Sequence, residues 1–176
     1  NHEFDQGRME LLRQQHGGCQ SNRPEKACKL DPDYRGASFT YLAANVIDKA
    51  TGKTLLPAYK IEEAKGVKVA FIGAVLQGAP ALLLPSAVAG MTFLDEADSI
   101  NQALLEVRAK GATVFVVLIH EGGHTDEAFN EPDCRNLKGP IVSIAKRLDP
   151  EVKLIISGHT HTGFQCKVDG RTIKLT

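Results

Sequence analysis

The chain reads as an α/β protein on a mixed sheet, and three features of its 176 residues predict this. Apolar runs of strand length alternate with segments of helical periodicity. Two of the runs, Val69-Ala70-Phe71-Ile72 and Thr113 to Ile119, are continuously apolar, as strands buried on both faces are. Metal-ligating residue types recur just beyond strand ends, where α/β proteins bind their ligands.

The elements follow in order. Gln6 to His16 carries Met9, Leu11 and Leu12 among charged residues and stops at Gly17-Gly18, which predicts a short amphipathic helix with a glycine terminator. Cys19 to Ser38 is polar and rich in turn residues, hence an ordered surface loop. Phe39 to Ile47 reads as a strand, Asp48 to Gly52 as a turn, Tyr59 to Glu62 as a short strand, and Val67 to Val75 as a strong one opened by Gly66. Leu76 to Phe93, with Pro80 and Pro85 among small apolar residues, is an irregular connection long enough to suggest a role at the rim of a site. Asp95 to Lys110 has Ile100, Leu104 and Val107 at helical spacing, an acidic first turn and Gly111 at its end. Thr113 to Ile119 is a strand, Pro140 to Leu148 a helix with proline in its first turn, and Val152 to Ile156 another strand. Phe164 to Val168 and Thr172 to Leu175 close the chain as a hairpin around Asp169-Gly170.

The totals describe one globular domain, or a large part of one, long enough to bury a core. The apolar fraction is 43% and the charged fraction 24%. Lys plus Arg equals Asp plus Glu, so the net charge is zero, which argues against a nucleic-acid binder acting through bulk positive charge and against a polybasic membrane anchor. No apolar run approaches the roughly 20 residues that span a bilayer. The chain opens directly on Asn1-His2-Glu3-Phe4-Asp5, without initiator Met or signal sequence, and so reads as a fragment whose targeting information lies upstream.

Cys19, Cys28, Cys134 and Cys166 lack the Cys-x-x-Cys spacing of a zinc knuckle or redox site. Cys19 and Cys28 bracket a loop that one disulfide can staple, and Cys134 and Cys166 can bridge two other loops. An even count in loops fits an oxidising compartment and export; four free thiols in a cytosolic protein are the alternative.

Three segments deliver Asn or His to one edge of the expected sheet: Asn1 and His2 at the start, His120 after the Thr113 strand, and His159 and His161 after the Val152 strand. Neutral imidazole is the commonest protein ligand for mid-series divalent metals, so these are candidate ligands. Other positions have plainer readings. His124 either points into the site or, on the plainer reading, is a solvent-exposed loop histidine; His16 reads as interacting with a helix dipole, and Asp126 and Glu127 as a solvated stretch. Leu82-Leu83-Leu84 reads as core packing in preference to a partner surface. Asn45 either contacts the site loops or caps backbone as a buried amide.

Asn1-His2-Glu3-Phe4-Asp5, Ile119-His120-Glu121-Gly122-Gly123 and Ser157-Gly158-His159-Thr160-His161, in this order, resemble the later signature blocks of the calcineurin-like metallophosphoesterases. Phe4-Asp5, Leu42-Ala43-Ala44-Asn45-Val46, Gly139-Pro140-Ile141 and Leu148-Asp149-Pro150 are similar to that family's 5'-nucleotidase branch. The resemblance covers essentially the whole chain. It implies an α/β sandwich of mixed sheets flanked by helices, and two divalent metal ions (Mn, Zn, Co, Fe or Mg). One metal would be held by Asn1, His120 and His159, and the other by His161. His2 would contact the phosphate, oriented by Asp5; a carboxylate partner favours the imidazolium, which can donate a proton. Glu3, Glu121 and Asn45 would be outer-sphere residues, and Glu3 and Glu121 read equally well as ordinary charges.

The implied reaction converts a nucleoside 5'-monophosphate and water to a nucleoside and phosphate, in the periplasm or outside the cell, on a small nucleotide with no nucleic acid bound. Two ions about 4 Å apart would clamp phosphate oxygens and activate water. Alternatives within the family are 2',3'-cyclic-nucleotide phosphodiesterase, UDP-sugar hydrolase and thiosulfohydrolase; outside it, a non-catalytic binding module on this scaffold. The family's earlier Asp-x-His and Gly-Asp blocks have no match in the sequence. Residues 1–176 are therefore expected to be an incomplete catalytic domain without its C-terminal nucleotide-specificity domain, binding metal weakly and turning over no substrate.

Overall fold

The computed structural model describes residues 2–129, 131 and 134–175. A six-stranded mixed sheet forms its centre, in the order β3 (Tyr59–Ala64), β4 (Val67–Ala74), β6 (Val114–Ile119), β7 (Leu154–Ser157), β9 (Arg171–Leu175) and β8 (Phe164–Val168). Neighbours among β4, β6, β7 and β9 are parallel, and β3 and β8 flank them antiparallel. The crossovers are α2 (Glu96–Ala109) before β6 and α3 (Pro140–Arg147) before β7.

Register explains the core. Ile72, Val117, Ile155, Ile173 and Cys166 are paired across five strands and fully buried. Ile100, Leu104 and Val107 of α2, also fully buried, join the same core. Each such side chain contributes on the order of 2 kcal/mol. The helix starts where Asp95 accepts a hydrogen bond from Asp98 N at 3.0 Å, and acidic residues in its first turn favour its dipole. The other face of the sheet is less covered than the apolar runs suggest. Val114 and Ile156 are each 42% exposed there.

A smaller antiparallel sheet, β2 (Lys53–Thr54), β1 (Val46–Asp48) and β5 (Met91–Phe93), builds a second core with α1 (Arg8–His16). Phe4 and Phe93 meet with ring centroids 5.4 Å apart, and the Arg8 guanidinium donates to both oxygens of Asp48 at 3.0 and 2.7 Å. The sequence places Met91 to Phe93 in an irregular connection. These residues instead pair with β1, and Ala79–Ala81 form a short 3-10 helix.

The expected strand from Phe39 to Ile47 shrinks to β1 alone. Ala43 N and Ala44 N donate to carbonyls of two different segments, Pro57 and Gly73, so no single ladder forms. The segment crosses β4 so closely that a Cβ on Gly73 would lie 2.4 Å from Leu42 Cβ. Apolar content alone does not reveal a segment that caps two sheets.

The disulfides Cys19–Cys28 and Cys134–Cys166 are both formed, with Cα separations of 5.4 and 5.0 Å. The closing hairpin turns at Asp169 and Gly170 with φ of 48° and 71°, the left-handed pair of a tight hairpin. No described helix is long and apolar enough to cross a membrane.

Candidate metal centre at the strand ends

Parallel pairing of β6 and β7, with Leu118 opposite Ile156, carries two loops out of the sheet side by side. His120 leaves β6 and its backbone N–H is fixed to Ala74 O at 3.0 Å. His159 leaves β7, and its ring lies 5.3 Å from that of His120, centroid to centroid, at 62°. His2, in a 3-10 helix at His2–Phe4, brings its ring edge-on to His120 at 6.2 Å. The Nδ1 of His2 lies 3.0 Å from Asp5 Oδ2, which leaves Nε2 for contacts beyond the pair.

The His120 imidazole is held far below the usual histidine range, at about 4. Burial is the largest cause, and surrounding positive charge, that of His159 and His2 included, adds to it. The ring is therefore neutral at pH 7. Its Nε2 is buried without a hydrogen-bond partner among the described residues. A buried nitrogen of this kind is costly unless something takes its lone pair, and a divalent metal does so.

The two loops grip each other through backbone. Ser157 Oγ and Gly158 N both donate to Glu121 O, at 2.5 and 3.3 Å. Thr160 Oγ1 and Thr162 Oγ1 both donate to Gly123 O, at 2.8 and 3.1 Å. The contact requires glycine at 122, because a Cβ there would fall 2.3 Å from Gly158 O.

The expected residues separate into groups. His2, Asp5, His120 and His159 converge. His161 is exposed on the same loop, and its ring touches none of the other three. Asn1 lies outside the described residues. Glu121 is buried, but its carboxylate accepts from its own neighbour, Gly122 N, at 2.8 Å. Asn45 is a buried amide that holds backbone, with Nδ2 donating to Val75 O and Leu94 O at 2.6 and 3.0 Å and Oδ1 accepting from Val75 N at 2.9 Å. Glu3 is half-buried and close enough to His120 for their charges to interact. Nothing in the sequence singles out Thr160 or Thr162, whose shared partner is a main-chain carbonyl.

Among the described residues, no three His, Cys, Asp or Glu side chains sit close enough to hold a metal ion. His120 and His159 nonetheless fit one metal position: two nitrogen donors, one of them neutral, buried and unpartnered.

Parallel strands thus end in a cluster of imidazoles beside a histidine oriented by a carboxylate. No model of a protein family matches the chain. Relatives do. Endonuclease YhcR of Bacillus subtilis is 35% identical over 98% of this chain and 13% of its own length. Cell wall protein Lmo0130 of Listeria monocytogenes is 33% identical over 92% of the chain and 21% of its own. A 5'-nucleotidase of Vibrio cholerae is 29% identical over 70% and 22%. Among solved structures, the sulfate thiohydrolase SoxB of Thermus thermophilus aligns with a TM-score of 0.62 at 26% identity, over 81% of this chain and 23% of that one. The calcineurin-like phosphoesterase YfkN of Bacillus subtilis aligns at 0.63 and 22% identity, over 80% and 47%. The chain has the fold of a calcineurin-like phosphoesterase, and its sequence is similar to proteins named 5'-nucleotidase and 2',3'-cyclic-nucleotide 2'-phosphodiesterase/3'-nucleotidase. It spans only 13% to 22% of the length of the three relatives described.

Proposed function

We propose that this chain contributes part of the two-metal centre of a nucleotide phosphohydrolase, which converts a nucleoside 5'-monophosphate and water to a nucleoside and phosphate. The observation that carries the reading is the His2–Asp5 pair set edge-on against His120, with His159 beside it. Asn1, His120 and His159 would hold one metal and His161 the other. When bound, the two ions supply positive charge for the phosphate oxygens and a water of lowered pKa.

The chain's own residues do the rest. Asp5 accepts from His2 Nδ1, which fixes the ring and leaves Nε2 facing the site. His2 Nε2–H then donates to a phosphoryl oxygen, or passes its proton to the departing alkoxide. Burial keeps the His120 ring neutral, and its Nε2 has no hydrogen-bond partner among the described residues.

The sequence contains neither Asp-x-His nor Gly-Asp, the blocks expected to complete the centre. We infer that these ligands, and a nucleotide-specificity domain, lie outside residues 1–176, and that the chain alone binds metal weakly and turns over nothing. Two disulfides and a cell-wall relative support export. The relative named as an endonuclease is far longer than this chain, whose zero net charge favours a small nucleotide over a polyanion.

The test is a substrate panel with Mn2+: AMP, a 2',3'-cyclic nucleotide and a UDP-sugar, assayed on residues 1–176 and on the longer protein carrying them. Turnover of AMP by the longer protein alone is expected; comparable turnover by the 176 residues overturns the incomplete-site reading. A second reading, a 2',3'-cyclic-nucleotide phosphodiesterase, rests on the relative of that name from Salmonella typhimurium, 28% identical over 75% of the chain. Preference for the cyclic substrate would establish it.

A further inference from the structure

We propose that Thr160 and Thr162 are positioning residues, a clasp that holds the His159 imidazole against His120 by fastening a strained loop to the carbonyl of Gly123. This deepens the two-metal reading and rests on it for its purpose, though not for its geometry.

The loop is unusual. His159 and His161 have φ of 75° and 55°, a left-handed conformation that residues with a Cβ seldom adopt. Thr160 N donates to Gly158 O at 3.0 Å, closing a three-residue turn centred on His159, a strained form when the central φ is positive. Something must offset this strain.

The two threonine hydroxyls supply it. They converge on one acceptor, Gly123 O, at 2.8 and 3.1 Å, and lie 3.2 Å from each other. That acceptor is itself fixed, because the chain pairs immediately beyond it, His124 N to Lys138 O at 2.8 Å and Lys138 N to His124 O at 2.9 Å. The clasp therefore bolts the loop bearing His159 to the loop bearing His120. Cutting it lets His159 relax to an ordinary φ, and its ring then leaves the 5.3 Å contact.

The position calls for threonine. Its branched Cβ restricts χ1, so the hydroxyl is aimed with little loss of freedom, while valine has the same shape and no donor. Serine keeps the donor. The substitutions Thr160→Val, Thr162→Val, both together, and Thr160→Ser therefore separate hydrogen bonding from packing.

The experiment uses the 176-residue chain with three measurements: calorimetric titration with Zn2+ alone, NMR of the His159 imidazole without metal, and thermal unfolding. The double valine variant is expected to bind Zn2+ roughly tenfold or more weakly, as loss of an orienting contact around a ligand does. Its metal-free His159 resonances shift or broaden, its melting temperature changes little, and Thr160→Ser behaves as wild type. A double variant with unchanged Zn2+ affinity and His159 resonances overturns the clasp, whether or not its melting temperature falls. If Zn2+ binding by the wild-type chain is too weak to measure, as the missing ligands allow, the two-metal reading is decided by the substrate panel on the longer protein, and the metal-free His159 resonances alone decide for or against the clasp.

Discussion

Gly122 shows how tightly single residues set this site. A Cβ there would meet Gly158 O at 2.3 Å and Thr160 Oγ1 at 2.6 Å, and both belong to the opposing loop. Gly122→Ala must push the loops apart, and a destabilisation of about 1–3 kcal/mol is expected in urea unfolding. Glu10 gives a second prediction, away from the site. Its carboxyl is held at about 2, first by hydrogen bonds from Arg13 at 2.9 and 2.7 Å and also by the Ser21 hydroxyl, against a burial effect that raises it. Because the folded value lies below the ordinary 4.5, the ionised carboxyl stabilises the fold fully above that pH. The contribution, on the order of 2–3 kcal/mol, is lost as pH falls from about 4.5 to 2. Stability measured from pH 6 down to 2 should drop more steeply in wild type than in Glu10→Gln; parallel curves would refute the assignment. These residues also mark what a sequence makes legible. Candidate metal ligands and acid–base residues come from few residue types in short local patterns, so His2, Asp5, His120 and His159 stand out from the amino-acid sequence alone. The role of Thr160 does not, because its partner is a carbonyl 37 residues away that any residue could carry. Asn45 is similar: its carbonyl partners lie 30 and 49 residues away.

Among elements, α2, α3, β4 and β6 lie within a residue or two of their expected ends, because periodicity and end signals agree there. The segment 39–45 departs from its apolar pattern, since its hydrogen bonds go to two different segments. α1 is legible as a helix, but what starts it is not. Gly7 offers no capping side chain, and Asn22 Oδ1 accepts instead from Met9 N and Glu10 N at 2.9 and 3.3 Å, reaching back from the disulfide loop. Each disulfide thus ties an element to its neighbours, and loop length orders their effects. Cys19–Cys28 closes a separation of 9 residues and Cys134–Cys166 one of 32. The chain-entropy relation gives roughly 2.5 and 3.7 kcal/mol. Replacing Cys134 and Cys166 by serine should therefore lower the urea midpoint more than replacing Cys19 and Cys28. The reverse order would show that the Cys19–Cys28 bridge mainly acts through the Asn22 cap and the Ser21–Glu10 contact beside it.

At the scale of the whole molecule, the α/β class and mixed sheet are legible in the sequence, because alternating apolar runs and helices permit few arrangements. The split into two sheets is not, since β1, β2 and β5 are only two or three residues long and paired across distant sequence. On the proposed function, that architecture would make metal binding a property of the folded state. His120 and His159 come from strands paired only in the complete sheet, so the unfolded chain offers no equivalent site. Metal should therefore raise the unfolding free energy by RT ln(1 + [metal]/Kd), about 1.4 kcal/mol when free metal is ten times Kd. His120→Ala tests this. Without metal, the substitution removes a buried nitrogen that has no hydrogen-bond partner among the described residues, which offsets part of the packing it loses. The metal-free cost should accordingly be below the roughly 2–5 kcal/mol usual for truncating a large buried side chain. With Zn2+ present, the wild-type chain gains stability and the variant does not, so the gap between them widens with metal concentration. A His120→Ala chain stabilised by Zn2+ as much as wild type would place the metal elsewhere and remove the basis for assigning the strand-end histidines to it.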